Sequence, residues 1–315
     1  MTRWWLRPAV RVVAAIALPL LVPAIITALI WALPGDPASI ICPPQSCGGT
    51  EVLAARWNLD AGPWSFFWGW LGGAVQGDFG NSWRLQQGVA VAELLREAVP
   101  NTLKLLGLAI IPVGLGSVAG ARLRIPRGLD AVLQIVGLVP ALVLSLVAAA
   151  AVTLAYGSAA YGAEANLVRL AAGALVLGLA DGALSGAVLG TRDLFQTENK
   201  QRYVSVALLR GERRLPNTLP NVAPALAGQL RARLLHLLSG AVVVEVVLRI
   251  DGMGDLLWGG TLLQDFGVVL AAATCFSLIS SFLLLLQAVV EIVTAWHVRR
   301  APVLSATAST VEAAA

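Results

Sequence analysis

Long apolar runs separated by short or strongly polar interruptions set the pattern of this chain. The runs cover residues 12–33, 94–121, 129–155, 167–189, 234–248 and 267–296. A helix needs roughly 20 apolar residues to cross the hydrocarbon core of a bilayer, because each residue adds about 1.5 Å to its length. The pattern predicts an all-α integral membrane protein with about six transmembrane helices. Two interruptions are longer than a turn. Residues 38–99 carry Glu51, Arg56, Asp60, Asp78, Arg84, Glu93, Arg96 and Glu97, too many charges for lipid, and residues 191–223 are polar within an otherwise apolar second half. The predicted organisation is one membrane domain over 1–300. Residues 38–99 form an insertion on one face between the first two spans, 191–223 a loop on the other face, and 301–315 a small, polar tail predicted to be disordered.

Composition supports the same class. Hydrophobic residues make up 57% of the chain, charged residues only 13%, and the mean hydropathy is +0.78, whereas soluble domains are about a quarter charged. The net charge of +4 is too small to predict a nucleic-acid partner. Its placement says more. Arg3, Arg7, Arg11, Arg122, Arg124, Arg127, Arg192, Lys200, Arg202, Arg210, Arg213, Arg214, Arg299 and Arg300 all fall on one side of a six-span arrangement. Basic residues collect in cytoplasmic loops, so both termini and the 191–223 loop are expected in the cytoplasm and 38–99 outside. The first apolar run exceeds a signal peptide's core and lacks a small-residue cleavage pattern, so it is expected to remain as a span.

Enzyme chemistry finds no support in the residues. His236 and His297 are isolated, and Cys42, Cys47 and Cys275 form no zinc-like spacing. The only lysines are Lys104 and Lys200, and neither sits in a GxxxxGK[ST] phosphate loop. No metal, cofactor or nucleotide is expected in this chain, and any ATP hydrolysis must come from other subunits.

The polar loop of the second half has its own internal order. An apolar segment over 203–209 is followed by Arg210, Gly211 and a run of charges, then by Leu215-Pro216-Asn217 and Leu219-Pro220-Asn221. A glycine after a short helix supplies a left-handed cap, and a proline soon after prevents the helix from resuming. The expected element is a short helix across the mouth of the bundle, a sharp turn and a new helix near Asn221.

These residues, together with five other motifs, resemble the first inner-membrane permease of ABC importers of the dipeptide, oligopeptide and nickel class. In chain order the motifs are LPGDP at 33–37, GDFGNS at 77–82, PNTL at 100–103, the Tyr203 to Gly211 element, GAVVVE at 240–245 and GMG at 252–254. The resemblance implies a multi-pass subunit of the bacterial inner membrane that forms half of a path for peptides or similar small solutes. Its implied partners are a second homologous permease, two ATP-binding subunits docked on the 191–223 loop, an external substrate-binding protein and the lipid bilayer. It also implies an ATPase-coupling role for Tyr203, Val204, Val206, Ala207, Leu208 and Gly211. The chain departs from the family in carrying Ser205, Val206, Leu208 and Leu209 where charged and small residues are usual, and in a shorter interval from Gly211 to Asn221.

Other residues carry two readings each. Asp181 lies at membrane depth among Gly178, Gly182 and Gly186, and Glu245 falls near the outer end of the fifth run; both are candidates for the path or a gate. Arg231, Arg233 and His236 suit snorkelling side chains at a cytoplasmic boundary, with a path lining as the alternative. The tryptophans of 64–70 suit an interfacial aromatic belt, and Gly116 and Gly120 a close helix approach. Cys42 and Cys47 flank four residues on the outer side, where they can bridge or remain thiols. An ion-coupled carrier or channel working without ATPase subunits is the alternative function, though such carriers usually show two similar halves; a non-transporting membrane anchor or receptor is the other.

Overall fold

The computed structural model describes residues 6–34, 37–41, 50–56, 59–123, 126–157 and 163–300. Cys42 and Cys47, part of the LPGDP turn, and the 301–315 tail lie outside them. Helices α1 (Leu6–Ala32), α2 (Pro37–Ile41), α3 (Thr50–Arg56) and α4 (Gly62–Val75) precede the long α5 (Val91–Arg122). Then come α6 (Arg127–Gly137), α7 (Ala141–Tyr156), α8 (Ala163–Leu179), α9 (Ala183–Asn199) and α10 (Arg202–Leu209). The chain closes with α11 (Arg214–Leu248), α12 (Met253–Leu262) and α13 (Phe266–Arg300).

Four segments are each long and apolar enough to cross a bilayer: Leu6–Ala32, Val91–Arg122, Glu164–Asn199 and Phe266–Trp296. The bent pair α6 and α7 supplies a fifth if it counts as one span. The third expected span, 129–155, is therefore not a single helix. Its two parts meet at 87° across Leu138 to Pro140, because the residue before a proline is driven out of the helical region. The fifth expected span, 234–248, is not among these segments; it is the end of a longer helix that carries Arg231, Arg233 and Glu245. Helix α11 is continuous for 35 residues and begins at Arg214, not near Asn221. Pro216 stands in its first turn, where no intrahelical donor is lost.

Helices α5, α7, α8, α9 and α11 share the main core, through side chains such as Leu105, Val113, Leu177, Leu237 and Val244. Small residues on α5 set how near α9 can lie. A Cβ on Gly116 would stand 2.6 Å from Leu184, and one on Gly120 would overlap the backbone of Val188. Helix α1 packs mainly on α13, where Arg11 pairs with Glu291. Gln287 extends that pair, donating to Glu291 at 3.2 Å and accepting from Arg231 Nε at 2.6 Å. Arg231 is thus bonded between helices, beside the Arg11 and Glu291 pair.

The insertion folds against one end of this bundle. Phe66 of α4 contacts Trp31 of α1 at a ring separation of 5.3 Å and Trp83 at 6.3 Å, and Trp83 meets Phe266 at 6.0 Å. Trp64 and Trp68 on the opposite face of α4 stay exposed, as an interfacial belt requires. The loop after α4 is gathered by Asp265, whose side chain has no exposed surface. Its Oδ2 accepts from Ser82 Oγ at 2.5 Å and from the amides of Trp83, Arg84 and Leu85 at 2.9, 2.9 and 3.0 Å. Oδ1 accepts from Val268 N at 3.3 Å, capping the start of α13.

Candidate functional site

At the other end of the bundle, α10 stands between the last turn of α9 and the first turns of α11. Gly211 adopts φ 78°. Its amide donates to Leu208 O at 3.0 Å, and the Glu212 amide donates to Ala207 O at 3.0 Å. This pair of bonds is a Schellman ending, which satisfies carbonyls that a helix terminus leaves unpaired. An L side chain at Gly211 would strain that conformation.

The six candidate coupling residues divide by face. Val204 and Ala207 are buried toward the bundle, while Tyr203, Val206 and Leu208 are exposed. Leu209, which was not among the candidates, is 88% exposed and is the most prominent apolar side chain of the element. Tyr203 ties the helix at both sides: its hydroxyl donates to Glu198 of α9 and accepts from Asn221 Nδ2 of α11 at 2.8 Å. Partial burial, and then the bond to the Glu198 carboxylate, push the Tyr203 phenol above its ordinary pKa, so it remains a donor at neutral pH. Sequence alone gave no signal for Glu198, which sits in a run of polar residues like any solvated helix end.

About 25 Å along α9 from this junction, at 1.5 Å per residue, two helix breaks meet. The 3₁₀ turn Ala180–Gly182 interrupts α8 and α9, with Asp181 at φ 50° and Gly182 at φ 74°. The Asp181 amide donates to Val139 O at 3.1 Å, and its carboxylate accepts from Ala141 N at 3.2 Å. Each break thereby satisfies backbone groups that the other frees, which is how broken helices persist away from water. His236 of α11 lies 3.6 Å from the same carboxylate, and Arg233 Nη1 donates to Gly182 O at 2.9 Å. The structure brings Asp181 together with two residues for which the sequence offered a cytoplasmic boundary or a path lining.

Glu245 sits elsewhere, and its surroundings do not fit the expected path or gate role. Its side chain is 0% exposed. One oxygen accepts from Thr102 Oγ1 at 2.7 Å; the other accepts from Gly254 N at 2.6 Å and Asp255 N at 3.3 Å. Thr102 Oγ1 in turn accepts from Met253 N at 2.7 Å, and Asn101 Nδ2 donates to Asp251 O at 2.9 Å. Three motifs that are distant in sequence thus form one brace, in which Thr102 and Glu245 cap the first turn of α12.

A bundle of long apolar helices, broken between α8 and α9 and joined by a short tethered helix at one end, has the build of a multi-spanning membrane protein. The chain belongs to the family of binding-protein-dependent transport system inner membrane components, whose sequence model matches residues 112–300, more than half of its length. It is 26% identical over 279 residues to the glutathione transport system permease protein GsiC of Escherichia coli (strain K12), covering 85% of this chain and 90% of that one. It is 28% identical over 262 residues to the oligopeptide transport system permease protein AppB of Bacillus subtilis (strain 168), covering 76% and 82%.

Proposed function

We propose that this chain is one of two permease subunits of an ATP-driven importer for peptides or similar small solutes. Both termini and α10 face the cytoplasm, and α4 with the loop around Asp265 faces the side from which a binding protein delivers solute. The asymmetry of basic residues supports that orientation. The relatives' names, glutathione and oligopeptide permeases, support the solute class.

The observation that carries the reading is the construction of α10. One face is anchored by Val204, Ala207 and the Tyr203 hydroxyl, and the other presents Val206, Leu208 and Leu209 beyond the bundle. An apolar knob seated in a groove of an ATP-hydrolysing subunit moves α9 and α11 with it, because Tyr203 holds both. Such an element transmits a nucleotide-driven change only if the two ends favour different states of the bundle.

The test uses the complete transporter purified from its native membrane and reconstituted in vesicles. A second permease and two ATP-binding subunits are expected to co-purify with the chain. Gly211→Val and Leu209→Asp are expected to abolish ATP-driven uptake while the bundle still assembles. Wild-type uptake in both variants, or solute movement by this chain without partners, overturns the proposal.

A further inference from the structure

Helix weaknesses on α5, α6–α7 and α8–α9 lie at one level of the bundle. Pro112 stands inside α5, where it has no amide to give the carbonyl four residues back. A Cβ on Gly178 would stand 2.7 Å from the Pro112 ring, so this proline faces α8 within a turn of the break at Ala180–Gly182. That break meets the bend between α6 and α7, because the Asp181 amide donates to Val139 O and its carboxylate accepts from Ala141 N. Kinks in long helices sit at such features.

On the α10 side of this level the helices are locked to one another. A Cβ on Gly120 of α5 would overlap the Val188 backbone of α9, and one on Gly137 of α6 would stand 2.5 Å from Ser185 Oγ of α9. Further along α9, Arg192 Nη1 donates to both oxygens of Asp130 on α6, at 2.9 and 2.7 Å, between side chains only 21% and 18% exposed. The end of α5, all of α6 and α9 therefore pack as one unit, and α9 leads into α10. On the opposite side, Val244, Leu105 and Ile250 close around Gly173 of α8, where a Cβ would stand 2.9, 3.0 and 3.2 Å from them. The bond between Thr102 and Glu245 fastens that second body. Helix α11 passes the level unbroken and meets α9 through the ends of Arg233 and Gln229, laid against Gly186 and Gly190. Flexible side-chain ends follow a small sliding or tilting of packed helices, whereas a backbone contact such as that at Gly120 carries its partner along.

We propose that the end of α5, α6 and α9 swing as one lever about the level of Pro112, Pro140 and Asp181, and that Asp130 and Arg192 are the positioning pair that makes α6 follow α9. This rests on the importer reading and adds the route by which a push on α10 enters the bundle. The helices bend at their breaks, and the body around Gly173 stays in place.

The test measures distances between spin labels in the reconstituted complete transporter, with Cys42, Cys47 and Cys275 replaced by serine in a background that retains ATP-driven uptake. One pair, Val132→Cys with Gln196→Cys, joins α6 to α9 inside the lever. The other, Val132→Cys with Leu154→Cys, spans the bend from α6 to α7, and all these positions are exposed. Trapping the ATPase subunits with ATP and vanadate is expected to change the second distance and leave the first as it was. In Asp130→Asn the first distance is expected to change as well. Solute moved per ATP should then fall about tenfold, the value of one charge-assisted hydrogen bond, and Asp130→Glu should retain most of it. ATP-driven uptake with both distances unchanged means that the chain turns as a rigid body and overturns the proposal, while the importer reading stands. A first distance that changes in the unsubstituted pair overturns it equally. Wild-type distances and uptake per ATP in Asp130→Asn, whatever its melting temperature, assign the ion pair to stability alone and overturn its positioning role. Wild-type vesicles that take up no solute with ATP overturn the importer reading, and this inference with it.

Discussion

Glu245 and Thr102, 143 residues apart, are joined by a 2.7 Å hydrogen bond with no exposed surface on either side chain. Through this bond the last turns of α11, the first turns of α5 and the start of α12 become one unit. Glu245→Ala would leave the Thr102 hydroxyl and the amides of Gly254 and Asp255 without their acceptor. An unsatisfied buried donor costs about 1–3 kcal/mol, so a loss of about 2–4 kcal/mol is expected. Glu245→Gln keeps an acceptor and should lose less. Melting temperatures of the purified protein in detergent check both, and an unchanged value for Glu245→Ala would return this residue to the list of path candidates.

Asp265 presents a comparable dependence at the end of the bundle that carries the insertion. Four donors from residues 82–85 converge on a single oxygen. Asp265→Ala should loosen that loop and the start of α13 together, with a loss of about 2–4 kcal/mol. Ser82→Ala removes one of those four donors and the acceptor of the Gln86 amide, which lies at the partly exposed rim of the loop, so its loss should be about 1–2 kcal/mol. Limited proteolysis between α4 and α5 is expected to accelerate in Asp265→Ala and to change little in Ser82→Ala.

Tyr203→Phe tests transmission without touching the exposed knob. It removes both hydroxyl bonds and retains the ring, leaving α10 attached by Val204, Ala207 and its Schellman ending. Each lost bond is worth about 1 kcal/mol. The expected outcome is a fall of up to about thirtyfold in solute moved per ATP hydrolysed, the equivalent of about 2 kcal/mol, with the ATPase subunits still bound. A wild-type ratio would mean that the helix does not act through its ties to α9 and α11.

The sequence showed some of these relationships and hid others for physical reasons. Gly211 was legible because a helix ending in a left-handed glycine has a local signature. The spans at α1, α5 and α13 were legible because lipid demands apolar length. The break at Pro140 was missed because residues 129–155 stay apolar through it, and hydropathy reports composition without direction. Asp265 carried a usable signal, an acidic residue just before an apolar helix, but its hold on residues 82–85 did not, since no periodicity links positions so far apart. Thr102 and Glu245 were each noticed within their own motifs. Their meeting is a property of the packed bundle, and burial changed the reading of Glu245 from a path residue to a brace.

Helix α5 offers its own control for the close approach to α9. A Cβ on Gly120 would overlap the Val188 backbone, and a backbone cannot step aside as a flexible side-chain end can. Gly114 and Gly107 lie on the same helix with open space where a Cβ would go. Gly120→Ala should therefore push the helices apart and cost about 1–3 kcal/mol, the usual penalty of overpacking. Gly114→Ala removes backbone freedom from the unfolded chain without a clash, so it should be neutral or stabilise by up to about 1 kcal/mol. Opposite shifts in melting temperature are expected for the two variants. Equal shifts would show that α5 and α9 are not held together at the Gly120 to Val188 contact.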